Sequence, residues 1–176
     1  IKAAIQGMID AGMQINIDKA TAAIYHIYDT KGYEHQEVLN EFIVNALGRI
    51  NYKYLAAGIV EYKKAKEKSL NLFDDVVPTL DKLLDMNLKL GIVSDAPSRE
   101  AWIRLYTLKL HNKFEHVVTF NDTGFYKPAK EPFLKISEKL KLDLSECMMV
   151  GDWPDRDIKG AKQVGMKTAF AKYGST

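Results

Sequence analysis

Three short stretches carry residue types that phosphoryl or metal chemistry requires, and each follows an apolar run. The segment Gly151-Asp152-Trp153-Pro154-Asp155-Arg156-Asp157 places three carboxylates within six residues, directly after Met148-Met149-Val150. Crowded acids repel one another, so folding them together calls for a cation or a solvated loop. Hard divalent cations take oxygen ligands, and magnesium is usually held by a few carboxylates together with phosphate oxygens. The plainer alternative is an acidic turn that caps a helix beginning near Asp157. The run Gly91-Ile92-Val93 ends in Ser94, whose hydroxyl can hydrogen-bond a phosphoryl oxygen beside nearby backbone N–H groups. Taken alone, Ser94 reads as a turn or helix-cap serine. In Gly124-Phe125-Tyr126-Lys127-Pro128, the ammonium of Lys127 offers a compact positive charge. Such a charge can neutralise a phosphate dianion or keep a nucleophilic carboxylate ionised. Taken alone, Lys127 reads as an exposed surface lysine.

Positioning such groups is the task of the surrounding elements, and the chain divides near Asn71. Residues 1–70 contain no proline and read as helices throughout. Ile1, Ile5 and Met8 recur at helical spacing up to Gly12. Asn16 is placed to cap a second helix with Ile17, Ala20, Ile24 and Ile27 on one stripe, ended by Gly32. A third carries Val38, Phe42 and Ala46 and stops near Gly48. A fourth spans Tyr52 to Ser69, with Leu55, Ile59 and Tyr62 at helical offsets.

Residues 71–176 alternate helix and strand. Pro78 opens a helix bearing Leu80, Leu83 and Leu84. Leu88 to Val93, Val117 to Phe120, Cys147 to Val150 and Lys167 to Phe170 read as short strands. Helices start near Ser98, at Pro132 and at Ile158. Strands separated by helices predict parallel pairing in a doubly wound α/β sheet, and in such sheets ligands sit at the carboxyl ends of the strands.

Composition narrows the function classes. Apolar residues make up 47% of the 176 and charged residues 27%, a globular balance, and the net charge is +2. No strong field therefore points to nucleic acid or an anionic membrane. The densest basic cluster, Lys63, Lys64, Lys66 and Lys68, is interleaved with Glu61 and Glu67, as on a solvated helix face. No apolar run is long enough to span a bilayer, and no signal peptide is evident. Cys147 is the only cysteine; it excludes an intrachain disulfide and suits a reducing cytoplasm. Its apolar surroundings suggest an inert buried thiol.

In order and spacing, the three stretches resemble the motifs of the haloacid dehalogenase-like hydrolase superfamily. The apolar strand ending in Ser94 matches the second motif, and Lys127-Pro128 matches the third. Gly151-Asp152, four residues and Asp157 match the fourth, continued by Ile158-Lys159-Gly160-Ala161 and Gly165-Met166. The resemblance covers Leu72 to Phe170. It implies a Rossmann-like core with an inserted helical cap, residues 1–70 being the cap and 71–176 the core. It further implies a magnesium-dependent phosphate-monoester hydrolase that acts on a small phosphorylated metabolite through an aspartyl-phosphate. Asp152 and Asp157 are the implied metal-site residues. Ser94, Lys127 and Asp157 are the implied catalytic ones, with Asp157 ligating through water or orienting Lys127. Asp95 stands where many members have Asn. Because it adds negative charge beside a phosphate site, its side chain is expected to point away. Asp155 is expected to be exposed or to act at one remove.

The first motif of the family, a strand ending in Asp-x-Asp-x-Thr, does not occur in these residues. Family order places it before Ile1, between the Leu88–Val93 and Cys147–Val150 strands. These two strands are thus expected not to pair directly but to stand about two strand spacings apart, ~9–10 Å, with apolar surface along the gap. The core is expected to continue beyond Thr176. Two other readings remain: a 2-haloacid dehalogenase, which the acid directly after Gly151 disfavours, and a non-catalytic binding module on a decayed hydrolase scaffold.

Overall fold

Asparagine side chains start two of the first helices. The Asn16 carboxamide oxygen accepts the Lys19 N–H at 3.0 Å, and that of Asn51 accepts the N–H groups of Lys53 and Tyr54 at 3.1 and 3.3 Å. Each bond satisfies a donor that the first helical turn leaves unpaired. In the computed structural model, which describes residues 1–174, the helices are α1 (Lys2–Asp10), α2 (Ile17–Lys31), α3 (Val38–Leu47) and α4 (Tyr52–Ser69). They form one compact unit, Ile1–Asn71; a second runs from Leu72 onward. Most of the stripes read from the sequence face inward: Ile5, Met8 and Ile24 are fully buried, with Val38, Phe42, Ile27 and Leu55 nearly so. Ile17 and Ala46, at stripe ends, are exposed, and Ile43, on no stripe, is fully buried. The α1 and α4 helices meet at Gly7, where an added Cβ would stand 2.8 Å from the Ala57 carbonyl oxygen.

At the α2–α3 turn the Glu41 carboxylate accepts Lys31 Nζ at 2.7 Å and lies 2.8 Å from His35 Nε2. The Lys31 bond, aided by His35 and opposed by desolvation, holds the Glu41 carboxyl below its ordinary value.

In the second unit, chain order is α5 (Val76–Asp85), β1 (Gly91–Val93), α6 (Ser98–Thr107), β2 (His116–Val118), α7 (Phe120–Thr123) and α8 (Glu131–Leu140). There follow β3 (Met148–Gly151), α9 (Lys159–Gln163) and β4 (Lys167–Phe170). β1 pairs with β2 in parallel, Ile92 opposite Val117, and β3 pairs with β4 in parallel, Met149 opposite Thr168. The helix α8 lays Phe133, Ile136 and Leu140 against this framework, and Val118, Ala161 and Met166 complete the core.

Element boundaries depart from the sequence reading where local hydrogen bonds override the apolar pattern. Helix α5 starts before Pro78, which sits in the first turn, where a missing N–H costs nothing. Leu88 donates its N–H to the Leu83 carbonyl instead of joining a strand. Phe120 leaves β2 because Thr119 and Asp122 form a capping box, with both the Thr119 N–H and hydroxyl 2.7 Å from Asp122 Oδ2.

β1 and β3 belong to separate two-stranded sheets and do not hydrogen-bond to each other, as the sequence led us to expect. Between them lies a cleft of about 490 Å³ whose walls include Leu90, Val93, Met148 and Val150. Met148 and Val150 are 58% and 61% exposed, so apolar surface runs along it. Cys147 lines an adjoining cavity; burial, followed by Glu146 and Asp143, pushes its thiol above the ordinary range. No helix among the described residues is long and apolar enough to cross a membrane.

Two outcomes test this packing. Phe133→Ala, at a fully buried position, lowers stability by about 3–5 kcal/mol in urea unfolding; a loss under about 1 kcal/mol would remove Phe133 from the core. A carboxyl with a lowered folded value stabilises above its unfolded value and loses that contribution as pH falls through the folded one. Glu41→Gln therefore flattens the melting-temperature profile below pH 4.5, the ordinary value of the group.

Candidate active site

The exits of β1 and β3 and the loop before α8 supply every residue singled out from the sequence. At the end of β1 the Ser94 N–H reaches the Val118 carbonyl at 2.8 Å, continuing the strand pairing by one residue. Its hydroxyl oxygen accepts the Ala96 N–H at 3.2 Å. That bond fixes the oxygen at the strand end, and a hydroxyl has a proton of its own to donate.

Lys127 is held at both ends. Its backbone N–H donates to Asp95 Oδ1 at 2.9 Å. Its ammonium donates to Asp157 Oδ1 at 2.6 Å and to the Val93 carbonyl at 3.2 Å. The side chains of Lys127 and Asp157 are only 11% and 6% exposed, so the pair is largely out of water. An ammonium has three donors. Two are used here, and one remains.

Asp157 uses both carboxylate oxygens. Oδ2 accepts the Trp153 N–H at 3.0 Å, within a single π-type turn over Pro154–Ile158 that joins β3 to α9. Gly151 makes room for this group: an added Cβ there would lie 2.6 Å from Asp157 Cγ. The glycine of the fourth stretch is thus required by close approach of a carboxylate.

Asp152 stands apart from this network. It is exposed at the end of β3, and an added Cβ on Gly174 would come within 2.9 Å of its side chain. Asp155 is also exposed. Among the described residues, no three His, Cys, Asp or Glu side chains converge as a metal cage. Magnesium needs no such cage, because it commonly takes one or two carboxylates and fills its shell with water and phosphate oxygens. An exposed Asp152 carboxylate fits that requirement. Asp157, committed to Lys127 and Trp153, fits the orienting role.

Two bonds are not read from the sequence, in which Asp95 is only a charge expected to point away from a phosphate site and Arg156 is not singled out. Asp95 Oδ1 holds the Lys127 N–H, and Oδ2 accepts Arg156 Nη1 at 3.2 Å. The Arg156 guanidinium lies 4.0 Å over the Trp153 ring, an attractive cation–π arrangement. The available signal was a single arginine inside an acidic run, which implies a carboxylate partner.

Known proteins resemble the chain over most of its length. The family model described as haloacid dehalogenase-like hydrolase matches residues 14–171. A glyceraldehyde 3-phosphate phosphatase from Methanocaldococcus jannaschii is 33% identical over 94% of this chain and 72% of its own length. A structure of a HAD phosphatase from Thermococcus onnurineus superposes with a TM-score of 0.71 at 24% identity, covering 99% of this chain and 78% of that one. The HAD-hydrolase YfnB from Bacillus subtilis, in a structure bound to magnesium, gives a TM-score of 0.68 at 21% identity, over 98% and 81% of the two chains. The two structural likenesses establish the α/β fold.

The close approach at Gly151 yields a direct test. Gly151→Ala drives Asp157 off its place and breaks its bond to Lys127. Stability falls by about 1–3 kcal/mol, as for other overpacked sites, and the Trp153 amide loses protection from hydrogen exchange. An unchanged melting temperature with unchanged Trp153 protection would show that the carboxylate is not held there.

Proposed function

The chain belongs to the haloacid dehalogenase-like hydrolase family, and we propose from that premise that it serves as a magnesium-dependent phosphatase of small phosphorylated metabolites. The observation that carries this reading is the Lys127 ammonium, fixed between Asp157 and the Val93 carbonyl at 2.6 and 3.2 Å with a donor to spare. A cation so held faces a phosphoryl oxygen without reorganising, which is how preorganised charge stabilises a transition state. The Ser94 hydroxyl, fixed by Ala96, is the second donor to the same group. Glyceraldehyde 3-phosphate, the compound in the name of the relative, is the first substrate to try.

In this reading the attacking group is a carboxylate on a strand seated in the cleft between β1 and β3. Its oxygen bonds to phosphorus in line, the ester P–O bond breaks, and the alkoxide so released takes a proton from a general acid or from water to leave as the alcohol. Water then attacks the aspartyl-phosphate, phosphate departs, and the carboxylate is regenerated. Lys127 neutralises charge on the transferring group throughout, and Asp157 keeps the ammonium in place. Asp152 would hold magnesium, which supplies further positive charge to phosphate oxygens when bound. The helical unit is read as a cap that closes over substrate and excludes water.

Hydrolysis of an aryl phosphate and of glyceraldehyde 3-phosphate by the whole protein tests this, with and without a chelator. The rate falls to background with chelator and returns with added magnesium; equal rates would end the metal role. In calorimetry, Asp152→Asn abolishes magnesium binding while the melting temperature holds or rises, since a repelled charge is removed. Retained binding would take the ligand role from Asp152.

A further inference from the structure

Lys127 lies in a stretch between α7 and α8 that belongs to neither helix nor strand. The bonds within that stretch, such as Ala129 N–H to the Tyr126 carbonyl at 3.0 Å, shape the loop but do not locate it against β1. A lysine side chain is flexible, so contacts at its tip alone leave the backbone free to shift. Pro128 beside it packs against Gly160 of α9, and the hydrogen bond that ties the Lys127 backbone to the β1 exit comes from one carboxylate on a different element, Asp95, at 2.9 Å.

A carboxylate beside a phosphate site is unfavourable unless its charge is cancelled. Here it is cancelled: Arg156 sits on Oδ2 at 3.2 Å and is braced on Trp153 at 4.0 Å. The Asp95 side chain is 10% exposed and that of Arg156 is 29% exposed. One carboxylate therefore ties together the β1 exit with Ser94, the loop with Lys127, and the turn with Asp157.

We infer that Asp95 is the positioning residue of the site: it sets the place of the Lys127 ammonium by holding the Lys127 backbone, and Arg156 serves to neutralise it. The inference rests on the phosphatase reading for its kinetic consequence, but not for its structural one. Two bonds can be separated by substitution. Asp95→Ala removes the acceptor for Lys127 and the partner of Arg156. Asp95→Asn keeps an Oδ1 acceptor and removes the charge.

The experiment measures kcat and KM of the whole protein on an aryl phosphate, together with hydrogen exchange at the Lys127 amide and the melting temperature. Asp95→Ala lowers kcat by about tenfold or more, the scale expected of a catalytic group displaced by a fraction of an ångström to an ångström. Asp95→Asn recovers kcat to within about threefold of wild type, since the N–H partner survives. Exchange at the Lys127 amide quickens in the alanine variant and not in the asparagine variant. An alanine variant within about threefold of wild type overturns the proposal, as does an asparagine variant equally impaired. A kcat that follows melting temperature across the variants, or unchanged Lys127 exchange, overturns it as well. If the wild-type protein hydrolyses no phosphate ester, the phosphatase reading fails, and amide exchange alone decides for or against Asp95.

Discussion

The bond between the Lys127 ammonium and the Asp157 carboxylate, 2.6 Å long and nearly out of water, is the constraint that the second unit is built around. Removing either charge from solvent alone would cost several kcal/mol, and a pair repays that cost only with good geometry and further hydrogen bonds. Those further bonds are present. Val93 supplies a carbonyl to the ammonium, and Trp153 supplies an N–H to the carboxylate. Satisfying the pair draws in the β1 exit and a π-type turn after β3, and it leaves no room for a side chain at position 151. The two half-sheets are thus connected at their carboxyl ends by polar bonds, although their strands do not pair.

Much of the architecture was legible in the sequence because it depends on periodicity. The stripes of α2 and α4, and the Asn16 position before α2, follow from spacing and side-chain chemistry that act over one or two turns. The order of strands and helices after Leu72 was legible for the same reason. What periodicity could not give was the edge of an element where a nonlocal or side-chain bond decides. Phe120 is apolar and follows apolar residues, yet Thr119 and Asp122 cap it into a helix. Leu88 is apolar, yet its N–H goes back to Leu83.

The site was legible as a set of residue types but not as a network. Ser94, Lys127 and Asp157 are singled out by the resemblance of their order and spacing to family motifs, each being ordinary alone. That Asp157 would spend both oxygens on Lys127 and Trp153, leaving Asp152 and Asp155 exposed, needs coordinates. The charge of Asp95 was weighed without its partner. Arg156 lies 61 residues away, and no local pattern couples the two. The cleft between β1 and β3 is the opposite case: parallel strands that each have a single bonded neighbour leave backbone donors and acceptors along one edge, and the family's motif order pointed to it.

Burial of the Lys127–Asp157 pair also decides how the molecule responds to dissolved ions. Mobile salt weakens attractions between charges that it can surround, and at about 0.15 M that screening acts over roughly 8 Å. Pairs such as Lys64–Glu61, with side chains 67% and 41% exposed, lie open to it. Lys127 and Asp157 exclude the screening ions along with the water. Raising the ionic strength therefore loosens surface pairings while the Lys127 ammonium keeps its partner, so electrolyte and geometry are uncoupled at the candidate site.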